Sequence, residues 1–437
     1  MWRVKIEFFV FASFMLAILF GCRKDDYSYE EILNIDKYDN EHDQLLYHDQ
    51  PVNEGVANAL AKARMIAGIE WTPLAPVPSV YGKTYSADVT KRGLPYSLAQ
   101  KVNGYVGLDV SFYTFLTAVN NPYSVLYTEN LATRPYDGFD CAPYYGSVCS
   151  TSVWYALGIN VPYYTSSIHA ISTLKKCGDL GVDSISLCDV LWSKGHVAMV
   201  YDITRDPEGR IMAVSVFETT RVDHADSRII SYTYNDFCQR WDRVGWVIYR
   251  HKDLSENLFS EASLFNTDEL PVRRLFEYNF DICTSRGDRV AYAAGENVTI
   301  NVLSNRFSKI ELYRDDSLYE ERTIKSTEES FMNLPYGDYK ARLVSDDGTS
   351  EFTYFEVLDV NVSYTLSDKV TVYFSSRNAT PEFMSLGDVQ ECPYYCYLLK
   401  NYAERGYITV PKTMNYLKVH FRGKYGRVSN KSRKIFN

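Results

Sequence analysis

Two apolar runs joined by Asp206-Pro-Glu-Gly209 constrain this chain more than any other stretch. Pro at the second turn position and Gly at the fourth fit a type I turn closed by a left-handed glycine, the three-residue connection of a β-hairpin. Asp206 then pairs with Arg210, and counting back along both arms sets Ala198 opposite Glu218 and His196 opposite Thr220. Opposite residues share a face and side chains alternate with a period of two, so Glu218 lies on the face of His196, one diagonal step away. A two-residue connection would reverse that result. His196 directly follows Gly195 and opens the apolar strand His-Val-Ala-Met-Val. Val214, Val216 and Phe217 predict that Glu218 is at least partly buried, where it can orient an imidazole. A carboxylate on an edge strand facing water is the plainer reading.

An imidazole held by a carboxylate needs a nucleophile before it means chemistry. Gly138 to Ile159 supplies a candidate: a loop, then Cys149-Ser-Thr-Ser-Val-Trp-Tyr-Ala-Leu-Gly158. Ser150 or Thr151 can cap a short helix, Val153, Trp154 and Leu157 form its apolar stripe, and Gly158 ends it. Cys149 then sits at a helix N-terminus, where free N–H groups and the helix dipole favour a thiolate. A lone cysteine reads more simply as a small buried residue or half of a disulfide. Cys141 is a rival nucleophile, but Pro143 and Gly146 break any helix that starts there.

Taken together, Asp140-Cys141, Cys149-Ser150, Asp189-Val-Leu-Trp192 before Gly195-His-Val-Ala-Met-Val200, and Glu218 on the next strand resemble the papain-like amidases of the CHAP and NlpC type. The resemblance covers roughly residues 53 to 250. It implies an α+β domain with helices packed on an antiparallel sheet, and Cys149 as nucleophile, His196 as base and Glu218 as orienter. Tyr144, Tyr145 and Trp154 are the expected substrate-binding side chains, with a tyrosine hydroxyl helping the helix N–H groups to hold the oxyanion. Two departures stand out: Cys188 occupies a position that the family usually gives to Gly, and the family's Asp-Cys-Ser signature is divided between residues 140–141 and 149–150.

The N-terminus speaks to location. Arg3 and Lys5 precede an apolar run from Phe8 to Phe20, too short for a membrane span and read as a secretory signal. Leu19-Phe-Gly-Cys22 resembles a bacterial lipobox, which implies lipidation of Cys22 and a lipid anchor to the bacterial outer membrane, on its periplasmic face or at the cell surface. Phe20 is off the commonest pattern, and cleavage without lipidation is the alternative. No later stretch is apolar enough to span a bilayer. A formal charge of -9 argues against a nucleic-acid partner, which needs a basic face.

The length of 437 residues predicts two or three domains. Residues 1–22 read as the signal, 23–52 as a polar tether and 53–257 as the catalytic domain. Within it, Asn53 caps a helix with Val56, Ala59, Leu60, Ala63 and Ile66 on its apolar face. A second helix runs to Val119, and a short amphipathic one is expected near Ile168 to Lys175. His169 and His224 begin no buried strand and read as surface residues. From Leu258 onward, alternating segments such as Val298–Val302, Lys309–Tyr313 and Tyr339–Val344 are divided by turn signals at β-sandwich spacing. Two small all-β, Ig-like sandwich domains follow, 258–360 and 361–437. Cys392 and Cys396 read as a local disulfide around Pro393, with zinc as the alternative. No second cysteine pair has finger-like spacing, so neither a metal nor another cofactor is expected.

Two functions follow as expectations. The first is a cysteine amidase or endopeptidase acting on short peptides, by family resemblance the stem peptides of peptidoglycan, with acyl transfer to another acceptor open to the same residues. The second is a surface lipoprotein that binds glycan or protein through tyrosine-rich β-modules, its papain-like domain being catalytically degenerate. The chain's 37 tyrosines suit such contacts.

Overall fold

The computed structural model describes residues 53–78, 84–96, 112–128, 145–159, 165–179, 185–220, 226–241, 245–255, 281–389, 392–412, 416–429 and 433–434. The signal, Cys22 and the tether lie outside these residues, as do Cys141, Tyr144 and His224. β-strands dominate what is described.

The first part of the chain centres on six antiparallel strands: β1 (Leu174–Asp179), β2 (Val190–Ser193), β3 (His196–Arg205), β4 (Ile211–Thr220), β5 (Asp226–Thr233) and β6 (Val247–His251). Their spatial order is β1-β6-β2-β3-β4-β5. Alternation along the strands feeds two cores. Val197, Met199 and Phe217 face helices α1 (Glu54–Gly68), α2 (Phe112–Val119) and α4 (Cys149–Ala156), with the short α3 (Val125–Thr128) beside α2. Ala198, Val200, Val214 and Val216 face Phe237 and Trp241 of α5 (Tyr234–Trp241). Burial on both faces is what gives β3 and β4 their nearly continuous apolar sequence.

Helix α1 begins where Asn53 Oδ1 accepts the Val56 N–H at 2.9 Å. Helix α4 departs from expectation at its start. Neither Ser150 nor Thr151 is the cap; the helix begins earlier, with Val148 as its N-cap, and Thr151 reaches back to accept the Val148 N–H at 2.9 Å. No α-helix forms over residues 168–175 either. Thr165–Ala170 is a 3-10 turn, and β1 then pairs with β6, its ladder hydrogen bonds prevailing over a weak helical pattern.

The remainder is all-β and has two cores. The first gathers Ile282, Ile300, Leu312, Tyr339 and Phe355 between a three-stranded and a five-stranded sheet. The second gathers Leu358, Val372, Phe374, Val419 and Phe421, likewise between two sheets. Cys392 and Cys396 both lie on one strand, Cys392–Leu398. An extended chain separates their Cα atoms by roughly 13 Å, beyond the roughly 7 Å that a disulfide allows. The expected local disulfide is therefore corrected.

The turn between β7 (Ile282–Thr284) and β8 (Val290–Ala293) is seated against α2 and α3. Asn121 donates to the Thr284 carbonyl at 3.1 Å and to Asn301 Oδ1 at 2.8 Å, Val125 N–H to the Ser285 carbonyl at 2.8 Å, and Asp288 N–H to Thr117 Oγ1 at 2.9 Å. Gly287 has φ +105, and a Cβ there would stand 2.6 Å from the Thr114 carbonyl oxygen. The tight fit requires glycine.

Candidate functional site

The hairpin register sets His196 beside Glu218. Gly209 adopts φ +84, its N–H donates to the Asp206 carbonyl, and Asp206 N–H donates to the Arg210 carbonyl, each at 2.9 Å. The ladder shifts between Val200 and Asp202 and again between Thr204 and Arg205, and the two shifts offset. Met199 consequently pairs with Phe217, and one step further along Glu218 shares the face of His196. The contact is direct: His196 Nε2 lies 3.1 Å from Glu218 Oε2.

Glu218 is fully buried, and its second oxygen accepts from Arg240 of α5 at 3.4 Å. The Arg240 guanidinium also lies 5.6 Å from the ring centres of Tyr232 and Trp241. A buried carboxylate is retained as a charge only when it is paired, and here both oxygens are. Trp246 meets the imidazole edge-on, with ring centres 5.9 Å apart. Neither Arg240 nor Trp246 is among the site residues read from sequence. Trp246 does stand at the head of β6, but nothing local signals that Arg240 would reach Glu218.

Cys149 is the first residue of α4, a free and nearly buried thiol. Its thiol lies within electrostatic reach of the His196 side chain and of the backbone N–H groups of Val197 and Ser150. Burial pushes the thiol up. The hydrogen bond and charge of His196, with the two N–H groups, outweigh burial and bring the thiol below its ordinary range. For His196, burial alone would lower the imidazole, but bonds to Cys149 and Glu218 raise it. Both directions favour a thiolate–imidazolium pair. With Nε2 committed to Glu218, Nδ1 is the ring nitrogen left for another partner.

The other expected contacts fare differently. Tyr145 is fully buried; its ring packs near Phe115 and its hydroxyl donates to the Arg286 carbonyl at 2.7 Å, so it is not a solvent-side oxyanion donor. Trp154 is fully buried in the core beneath the sheet and offers no surface to a substrate, as follows from the apolar stripe of its own helix. His169 is exposed on the 3-10 turn.

The segment before β2 is braced separately. Asp189, fully buried, accepts both Arg250 Nε and an Arg250 terminal nitrogen at 2.7 Å, and the Ser186 N–H at 2.7 Å. Cys188 just before it has φ +64, a backbone conformation that favours glycine. Among the described residues no group of three or more His, Cys, Asp or Glu is placed to hold a metal, and no helix is long and apolar enough to cross a membrane.

No family model and no curated protein matches the chain. Among solved structures, it is similar to the fibronectin(III)-like modules of Clostridium thermocellum CbhA, at 19% identity over 33% of this chain and 87% of that one, with a TM-score of 0.17. The CD2-binding domain of CD58 aligns at 13% identity over 34% of this chain and 96% of that one, TM-score 0.20. The insect immune protein hemolin aligns at 11% identity over 60% and 66%, TM-score 0.18. Superpositions this loose carry no functional argument.

Proposed function

We propose that the first domain is a papain-like cysteine hydrolase that cleaves amide bonds in short peptides. The observation that carries this reading is the 3.1 Å contact of the His196 ring with the buried Glu218 carboxylate, together with a Cys149 thiol at the start of α4 that the same imidazole lowers. A thiolate attacks the amide carbonyl carbon, forming the C–S bond, and the oxyanion is met by backbone N–H groups at the start of α4. The His196 imidazolium gives its proton to the departing amine as the C–N bond breaks. Water then attacks the thioester, His196 takes its proton, and the acid leaves as the Cys149 thiolate returns. Glu218 holds the ring and stabilises its positive form throughout.

Export, a lipid anchor at Cys22 and peptidoglycan stem peptides as substrate belong to the same proposal, supported by the N-terminal sequence and the family resemblance. In this reading the two β-domains present the hydrolase and contact the glycan around it. The test has two arms. Iodoacetamide at mildly acidic pH, with mass-spectrometric site assignment, should label Cys149 faster than exposed Cys177. Muropeptides incubated with wild-type protein should gain free amines, and those with Cys149→Ala should not. Acid-phase labelling at Cys141 with Cys149 silent would overturn the assignment of the nucleophile. Equal amine release by both proteins would overturn the mechanism.

A further inference from the structure

Beneath the candidate site lies a closed group of four buried hydroxyls that the proposed chemistry does not itself use. Ser152 Oγ lies 2.7 Å from Ser147 Oγ and 2.6 Å from Thr219 Oγ1. Thr219 Oγ1 lies 2.8 Å from Ser227 Oγ, and Ser227 closes the loop to Ser147 at 3.5 Å. Ser152 also donates to the Val148 carbonyl at 2.9 Å. All four are buried.

Counting hydrogens shows how the group is satisfied. Each hydroxyl has one hydrogen to give. If Ser152 gives its hydrogen to Val148, Ser147 and Thr219 give theirs to Ser152, and Ser227 gives its hydrogen to Thr219, then the four shortest contacts are filled. The 3.5 Å approach is the one left over. A fully satisfied buried polar network is rigid in a way that apolar packing is not.

Its position matters more than its strength. Ser147 and Ser152 bracket Cys149, Ser152 lying one turn along α4. Thr219 follows Glu218 on β4, so alternation sends the two side chains to opposite faces of one strand. One face delivers the carboxylate to His196, and the other grips the helix that carries the sulfur. We infer that Ser152, Thr219 and Ser227 are positioning residues that set the separation between nucleophile and base. This rests on the function proposed above. The reasoning is geometric: displacement by about 1 Å can cost a reaction roughly a hundredfold, and directional hydrogen bonds add a fixed length and angle to the packing between α4 and β4.

The full chain would be compared as wild type, Thr219→Val, Ser227→Ala and Thr219→Ser, scoring Cys149 alkylation against pH alongside the melting temperature. Thr219→Val keeps the side-chain volume and removes the hydroxyl. The expected result is that Thr219→Val slows acid-phase alkylation of Cys149 by roughly tenfold or more, that its half-maximal pH moves upward, and that Thr219→Ser restores both. Ser227→Ala, which reaches Ser152 only through Thr219 and the long approach to Ser147, should show a smaller shift in the same direction and serves if Thr219→Val does not fold. Wild-type acid-phase labelling matched by the folded variants, with only the melting temperature lowered, overturns the inference and leaves the hydrolase reading intact. Wild-type Cys149 labelling solely at alkaline pH overturns the hydrolase reading and the inference with it.

Discussion

Glu218 serves two cations with one buried carboxylate, which makes its substitutions informative. Glu218→Gln keeps the shape and removes the charge that favours imidazolium. The half-maximal pH for Cys149 alkylation should rise by about one unit, corresponding to the loss of roughly 1.4 kcal/mol of charge stabilisation. Arg240→Ala should shift it the opposite way, since among the described residues Glu218 then keeps His196 as its ion-pair partner. Parallel shifts in both variants would contradict this division of labour. Cys188 gives a second residue-scale test. At φ +64 a non-glycine residue costs about 1–2 kcal/mol, and β-branching worsens the clash. Thermal melting should therefore rank Cys188→Gly above Cys188→Val, with valine below wild type. Of these residues, the pairing of His196 with Glu218 was legible in sequence because turn chemistry and strand alternation act locally. Arg240 was not, because α5 reaches Glu218 only through the packing of Phe237 and Trp241 on the sheet.

The β3–β4 ribbon shows how elements can be read correctly through an incomplete argument. Counting back from Asp206 and Arg210 assumes an unbroken ladder, yet the ladder shifts twice. The shifts offset, and the register beside His196 is the one that the turn dictates. No residue between Val200 and Arg205 announces such shifts. Helix α4 was readable as a helix and misread at its cap, because a threonine three residues in can reach back as well as forward. Helix α1 carries a sharper prediction. Its Gly55 lies against the chain leaving β6, where a Cβ would sit 1.6 Å from the Leu254 carbonyl oxygen. Gly55→Ala should destabilise the protein by about 1–3 kcal/mol in urea unfolding despite alanine's better helix propensity. An unchanged or stabilised variant would mean that the Leu254 segment yields freely.

At the level of the whole molecule, Glu356 joins the two β cores. It accepts the backbone N–H groups of Lys424 at 2.9 Å and Gly426 at 3.2 Å, along with that of Tyr425, and burial raises it from 4.5 to about 7 despite these bonds. A raised folded value means that its contribution is complete below pH 4.5, falls as the unfolded carboxyl ionises first, and is gone once pH passes about 7. Amide exchange at Lys424–Gly426, corrected for intrinsic rates, should accelerate between pH 5 and 8, and Glu356→Gln should flatten that rise. The same slope in both proteins would assign the effect elsewhere. Composition and turn spacing made the β-rich second half legible, but nothing in them foretold that the Ser285–Gly287 turn would be bonded to Val125 and Tyr145. Tyr145 stands four residues ahead of the sulfur. Removing the chain after residue 257 would therefore take away the hydrogen-bond partners of Thr117, Asn121 and Tyr145 together, so the part that carries Cys149 depends on the downstream β-domain for buried contacts of its own.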